Sequence, residues 1–424
     1  MTPFDIAAIL VVLAALFGQV NYHFLKLPTT IGLVVIALAA SLIVLFGDWL
    51  AGGQIAERVA AMIEQVDFYD ALMNGMLGFL LFAGALHVDL DQLASQKWAI
   101  ALMASLGVVI SAAIVGLGFW WLAGVPFIIA LVFGAIVSPT DPVAVLGLLK
   151  TVKVPRSLET KIAGESLFND GVGVVLFLML TAIAFTAAGH GADEPVDAWA
   201  VAELFLVEVG GGAVLGGAAG YGTYRLLRRV DEYTLELTMT LALVMGVYAL
   251  AHVIHVSGPI AVVIAGLFIG NAGMRFGMSE TTREHVHNFW HLIDELLNAV
   301  LFLLIGLEVF AIDAGWREVG IAVACIPLVL FARFCSVAIP IRALALGGSV
   351  FAKGSIRVMT WGGLRGGISV ALVLSLPPGE WKGLLLTATY AVVIFSIVVQ
   401  GLTIKRVITR VVPSQDYQAG AHYH

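Results

Sequence analysis

The sequence predicts an all-α polytopic membrane protein of about thirteen transmembrane helices, arranged as two inverted six-helix repeats around a linker helix and containing a pair of crossed broken helices. Three observations predict it. The 424 residues are 60% hydrophobic and only 12% charged, with a mean hydropathy of +0.99, a composition foreign to a water-facing globule. Apolar stretches able to cross roughly 30 Å of hydrocarbon recur along the whole chain. Two of these stretches, in matching positions of the two halves, are interrupted by helix-breaking residues, the pattern expected of a transporter with a midplane site.

The elements follow in order. Residues 4–25 form the first span; MTPFDIAAIL has no basic leader and no small-residue cleavage site, so it reads as a retained helix and not a signal peptide. Span two covers 28–47, and span three, 70–88, is preceded by QIAERVAAMIEQVDFYDAL, whose pattern suits a short amphipathic helix outside. Spans four and five cover 97–122 and 126–149, the latter broken by Pro139 and Pro142, and span six covers 162–188. Span seven, 198–227, carries Gly212, Gly216 and Gly220 at four-residue intervals, a small-residue face for close helix packing, and reads as the linker. Spans eight and nine cover 233–254 and 258–275; REHVHNFWHLIDE then reads as a second amphipathic helix, inside, ahead of span ten at 293–311. Span eleven, 316–345, holds both cysteines, Cys325 and Cys335, as small hydrophobes. Span twelve, 355–376, is interrupted by Gly362, Gly363, Gly366 and Gly367, and span thirteen covers 382–408. One integral membrane domain, 1–424, results: repeats 1–188 and 233–411 flank the linker 198–227, and 412–424 is a short cytoplasmic tail.

Lysine and arginine orient these spans. With the N-terminus outside, 17 of the 22 basic residues fall on the inner side, Arg58, Arg317 and Lys382 fall outside, and Arg333 and Arg365 lie within spans. The C-terminus is then cytoplasmic. The net charge of −7 comes from acidic outer loops, and no nucleic-acid partner fits such a chain.

Five ionisable residues lie deep in apolar segments: Asp141, Glu165, Asp170, Arg333 and Arg365. Each costs roughly 2.5–3.5 kcal/mol to insert, so an ion or proton pathway is the default reading. Pro142 leaves the carbonyl of Ser138 without its helical donor, and Pro139 does the same to Ala135; such carbonyls suit a desolvated monovalent cation. Thr140 and Asp141 stand at the break, where Asp141 can offset the positive end of a half-helix. On span six, helical period places Ser166 and Asp170 on one face with Asn169 beside them and Glu165 one turn below Asn169. A hydroxyl, an amide and a carboxylate form a hard-oxygen site for Na+ or Li+, and the same carboxylate can hold a proton. Three deep carboxylates against two guanidiniums leave one negative charge, which one Na+ or one H+ neutralises. A carrier that moves only when neutral would exchange them one for one.

At these residues the chain resembles the NhaP/NHE-type monovalent cation:proton antiporters, through SPTDPVAVLGLLK, GESLFNDGVGVVLF, ELLNAVLFLLIGLE, the ARF of span eleven and GGLRGGISVAL. The resemblance runs through nearly all thirteen spans. It implies the NhaA/NhaP-like antiporter fold, a homodimer in a bacterial inner membrane, and transported Na+ and H+ without a cofactor. It further implies that Asp170 carries ion and proton, with Asn169, Ser166 and Thr140 as companions and ligands of Na+. Glu165 and Arg333 would be a structural ion pair, and Asp141 with Arg365 would compensate the crossing of the broken helices. Asn169 followed by Asp170 resembles the electroneutral branch. One position departs from the pattern: archaeal relatives carry a glutamate in span three where this chain has Ala83.

His285, His287 and His291 cluster near the inner mouth and offer a pH sensor, since an unperturbed imidazole titrates near pH 6.5. A cation channel or gated K+ efflux pathway is the alternative function. An intramembrane hydrolase is disfavoured, because neither H-E-x-x-H nor G-x-S-x-G occurs in the chain.

Overall fold

A computed structural model describes residues 3–51, 71–141, 145, 156–186, 198–311, 315–349 and 351–411. Helix occupies each of the thirteen predicted stretches, and among the described residues nine helices are long and apolar enough to cross a membrane. Two shorter apolar helices, Ala71–Leu86 and Phe127–Ile136, accompany them. Residues 54–70 of the predicted outer amphipathic helix, Pro142 and the tail 412–424 lie outside the described residues.

Helices α1 (Pro3–Val20) and α2 (Thr29–Ala51) are joined by a π turn, Asn21–Leu25, whose Asn21 side chain bonds both the N–H and the carbonyl of Leu27. A second π turn, Ala71–Met76, leads into α3 (Leu77–Leu86), and the short α4 (Leu90–Ser95) is capped by Asp89, which accepts from the N–H groups of Asp91 and Gln92. Span four is two helices, α5 (Lys97–Ala104) and α6 (Leu106–Ala123), kinked at Ser105, whose hydroxyl donates back to the Ala101 carbonyl at 2.6 Å. Gly124, at φ +70°, ends α6 in the left-handed conformation and turns the chain into α7 (Phe127–Ile136), which packs back on α6.

Then come α8 (Arg156–Thr186), α9 (Ala198–Leu227), α10 (Tyr233–Val253) and α11 (Gly258–Phe268). The glycine face of α9 meets α11 directly: a Cβ on Gly216 would overlap the backbone of Ala261, so the small residue is a condition of the contact. Helix α12 (Glu280–Leu307) corrects one expectation. REHVHNFWHLIDE is not a separate amphipathic helix but the first half of span ten, because no proline or glycine interrupts the run from the Ser279 cap to Gly306. Helix α13 (Trp316–Leu346) carries Pro327 and Pro340 within it. Span twelve is broken as predicted into α14 (Ser355–Trp361) and α15 (Gly367–Leu374), and span thirteen comprises α16 (Lys382–Ile394), a π turn and α17 (Gly401–Val411).

Two packing groups emerge. Helices α6, α7, α8, α13 and α16 pack on one another, while α2, α3, α9, α10, α11 and α12 form a second set around Phe82, Trp290 and the α9–α11 contact. A cavity of about 1060 Å³ lies where they face each other. Its walls come from α2, α3 and α12 on one side and from α8 and the two broken segments on the other.

Candidate ion-binding site

Residues 138–141 are non-helical after α7, and residues 362–366 are non-helical between α14 and α15, so two chain breaks meet inside the apolar region. They are tied backbone to backbone: the Asp141 N–H donates to the Leu364 carbonyl at 2.8 Å. Fully buried Arg365 spans the junction, donating from Nη1 to the carbonyls of Ser138 at 2.7 Å and Pro139 at 3.0 Å, while its own N–H donates to Ser396 Oγ at 2.7 Å. This corrects the expectation that the Ser138 carbonyl would face a cation. A guanidinium, with fixed planar donors, already satisfies it.

Asp141 and Arg365 are thus brought to the same crossing. The Asp141 carboxylate lies against Gly366, so that a Cβ there would overlap it, and it stands at the N-terminus of α15 where a negative charge offsets the helix dipole. The predicted structural pair also forms. Glu165 and Arg333 make a bidentate buried ion pair, with Nη1 bonded to Oε1 and Nη2 2.9 Å from Oε2, and Arg333 Nε donates to the Met359 carbonyl at 3.3 Å.

Thr140, Ser166, Asn169 and Asp170 converge, all buried. Thr140 Oγ1 lies 3.0 Å from Ser166 Oγ and accepts from Asn169 Nδ2 at 2.7 Å, while Asn169 Oδ1 accepts the Thr140 N–H at 3.2 Å. Both ends of the Asn169 amide are therefore engaged by Thr140. Asp170 differs: its Oδ1 is buried and has no hydrogen-bond partner among the described residues, although Asp170 lines the cavity. A buried carboxylate oxygen without a donor is unfavourable unless a proton or a cation visits it.

Other charges are buried as well. Glu236 lies in the first turn of α10, Glu308 just beyond α12 and Asp48 near the end of α2, so three carboxylates and two guanidiniums are the charges of the crossing but not the full buried set. Ala83, where a third-span ligand was sought, is buried beside the cavity, and its carbonyl bonds His87. The predicted histidine trio divides. His287 and His291 face His87 across α3, whereas His285 stacks on Tyr233 with ring centroids 4.6 Å apart. Two residues from 287 is about 200° around a helix at 3.6 residues per turn, which separates them.

Sequence reasoning overlooked Asp294 and Asn298, which line the cavity opposite Asp170's helix and bond one another at 2.9 Å. Positions 287, 291, 294, 298 and 301 form one helical stripe, a polar-to-apolar stripe that periodicity could have revealed.

Broken helices crossing at a buried carboxylate, within a helical bundle able to span a membrane, define an integral membrane transporter of the secondary type. The family described as sodium/hydrogen exchanger, transmembrane, matches residues 9–410, and this chain belongs to it. It is 45% identical over 428 residues to the Na(+)/H(+) antiporter NhaP of Pseudomonas aeruginosa, covering 99% of this chain and 100% of that one. It is 36% identical to the Na(+)/H(+) antiporter NhaH of Halobacillus dabanensis, covering 91% and 92% of the two chains. The solved structure of the sodium proton antiporter MjNhaP1 from Methanocaldococcus jannaschii shares the fold, with a TM-score of 0.74 at 18% identity over 96% of this chain and 98% of that one.

Proposed function

We propose that this protein exchanges Na+, with Li+ or K+ as possible substitutes, for H+ across a bacterial inner membrane, one for one and without net charge movement. Cation and proton compete for Asp170, and access alternates between the two sides as one helix group moves against the other. The observation that carries this reading is Asp170, which lines a large cavity while its Oδ1 is buried without a donor among the described residues; it lies one turn along α8 from Ser166, whose hydroxyl meets that of Thr140. Those two oxygens, with the carboxylate, supply hard donors for a small monovalent cation. Asn169 holds Thr140 in place through its amide, and Asp141 and Arg365 neutralise the ends of the broken segments.

The protein acts as a homodimer with its N-terminus outside and its C-terminus in the cytoplasm, the orientation that the basic residues favour. Repeats 1–188 and 233–411 flank the helix 198–227. Of the histidines offered as a pH sensor, His291 lines the cavity with Asp89, Glu159, Asp294 and Glu295, and His287 packs on His87, which also lines it; replacing His285, His287 and His291 by Gln is expected to shift the pH of half-maximal exchange.

The test is proton movement in proteoliposomes of purified protein on adding Na+, Li+ or K+ in turn, with and without a valinomycin-clamped voltage. Cation-driven proton flux unaffected by the clamp is expected. Current without coupled proton movement would sink the proposal in favour of a conductive pathway.

A further inference from the structure

We propose that His87, His287 and His291 form a site for a borderline transition-metal dication, of the Zn2+ class, at the rim of the cavity, and that its occupancy slows ion exchange. The three rings come from two elements, the C-terminal cap of α3 and the first half of α12. The His87 ring centroid lies 4.6 Å from that of His287 and 6.4 Å from that of His291. Two imidazoles on one tetrahedral Zn2+, with metal–nitrogen bonds of about 2.0–2.1 Å, place their centroids about 5 Å apart, within this range. His287 and His291 are spaced i,i+4, so one helix face presents both.

The tautomer of His87 suits the role. Its Nδ1 lies 2.6 Å from the Ala83 carbonyl, which can only accept, so Nδ1 bears the hydrogen and the lone pair resides on Nε2. A ligating histidine whose other nitrogen is held by a backbone carbonyl is the usual arrangement around a protein-bound metal. Glu295 Oε1 lies 3.9 Å from His291 Nδ1 and adds negative charge beside that ring. Among the described residues no three such groups already surround one point, so binding requires the His287 and His291 rings to turn toward His87, which keeps its bond to Ala83. All three are exposed, and exposed side chains change rotamer within picoseconds to nanoseconds without disturbing packing.

Charge favours a dication here. The cavity wall contributes Asp89, Glu159, Asp294 and Glu295 and, among the described residues, no lysine or arginine. Nitrogen ligands at the rim prefer Zn2+, Ni2+ or Cu2+ over Na+ or Mg2+, whereas the oxygen set around Asp170 has the opposite preference, so the two sites separate by softness. A bound dication would add positive charge and bulk across the route to Asp170.

Binding is read first, by calorimetric titration of Zn2+ into the full chain in detergent after removal of any affinity tag. Substituting His422 and His424 by Gln in every sample silences the tail histidines. The site predicts that H87Q and H287Q each weaken one Zn2+ binding event at least tenfold while H285Q leaves it in place, with thermal melts confirming that each variant is folded. Equal affinity in wild type and in the H87Q/H287Q/H291Q triple variant would overturn the site. The second arm rests on the proposed exchange activity: micromolar Zn2+ is expected to slow Na+-driven proton flux in wild-type proteoliposomes, with the half-inhibitory concentration rising at least tenfold in H287Q. Unchanged flux at saturating Zn2+ would overturn the inhibitory role. A lack of Na+-driven flux in metal-free buffer would instead refute the exchange reading, which keeps the two failures distinct.

Discussion

At the scale of single residues, Asp170 and Glu165 sit five residues apart on α8, about 140° around the helix from one another, with opposite fates. Glu165 has a fixed partner in Arg333, whereas Asp170 Oδ1 lacks a donor among the described residues. Replacing Asp170 by Asn is expected to abolish exchange, because an amide takes up neither proton nor cation with affinity. The purified variant should still elute as folded protein, and retained Na+-driven proton flux would defeat the assignment. Replacing Glu165 by Ala removes no candidate ligand but strands the Arg333 guanidinium in an apolar interior. Breaking a buried pair in this way costs about 3–5 kcal/mol, so the thermal midpoint should fall clearly below wild type. An unchanged midpoint would show the pair to be energetically idle. Asn169 was expected as a companion ligand from its place beside Asp170. Both ends of its amide bond Thr140, a link invisible in sequence because it depends on where the chain returns after the break.

At the scale of elements, the crossing of the two broken segments is the feature on which the site depends. The sequence displayed both breaks, since Pro139 and the glycines of GGLRGG are local signals that need no tertiary information. What it concealed was the partner of the freed carbonyls. Arg365 is 227 residues from Ser138, and only the fold brings its Nη1 to that oxygen. The limits of span ten were misjudged for a related reason: a long amphipathic lead-in and an apolar span have the same period, and nothing in the sequence separates them. Gly366 probes the crossing directly. A valine there would press on the Asp141 side chain, so G366V is expected to lower the exchange rate at least tenfold in proteoliposomes, while G210V on α9, where a Cβ meets open space, should keep wild-type exchange. Equal rates in the two variants would refute a functional requirement for that close approach.

For the whole molecule, competition at one carboxylate has a quantitative signature. When external pH lies below the pKa of the carrier carboxyl, each unit of acidification multiplies the ratio of its protonated to its ionised form tenfold, and half-saturating Na+ should rise by about the same factor while the maximal rate is preserved. Measuring the Na+ dependence of proton flux at several pH values decides this. A half-saturating concentration independent of pH would require separate sites for the two ions. Fold class and most of the site residues were legible in this chain because membrane proteins concentrate their information in rare polar residues within apolar runs. The wall opposite Asp170, with Asp294 and Asn298, shows only as the helical stripe 287, 291, 294, 298 and 301, which is easily passed over because its polar groups lie on a helix that also begins in the polar region.

The cavity between the two helix groups gives solvent itself a share in the work. At about 1060 Å³ it holds on the order of thirty waters, each occupying about 30 Å³ as in the bulk liquid. If one helix group moves against the other to shut this space, that water must leave with every cycle, and the access equilibrium becomes a hydration equilibrium. A solute too large to enter then acts as an osmotic lever on the transporter, favouring whichever state encloses less water, so that the osmolarity around the membrane joins the ion gradients in setting how the protein divides its time between its two faces.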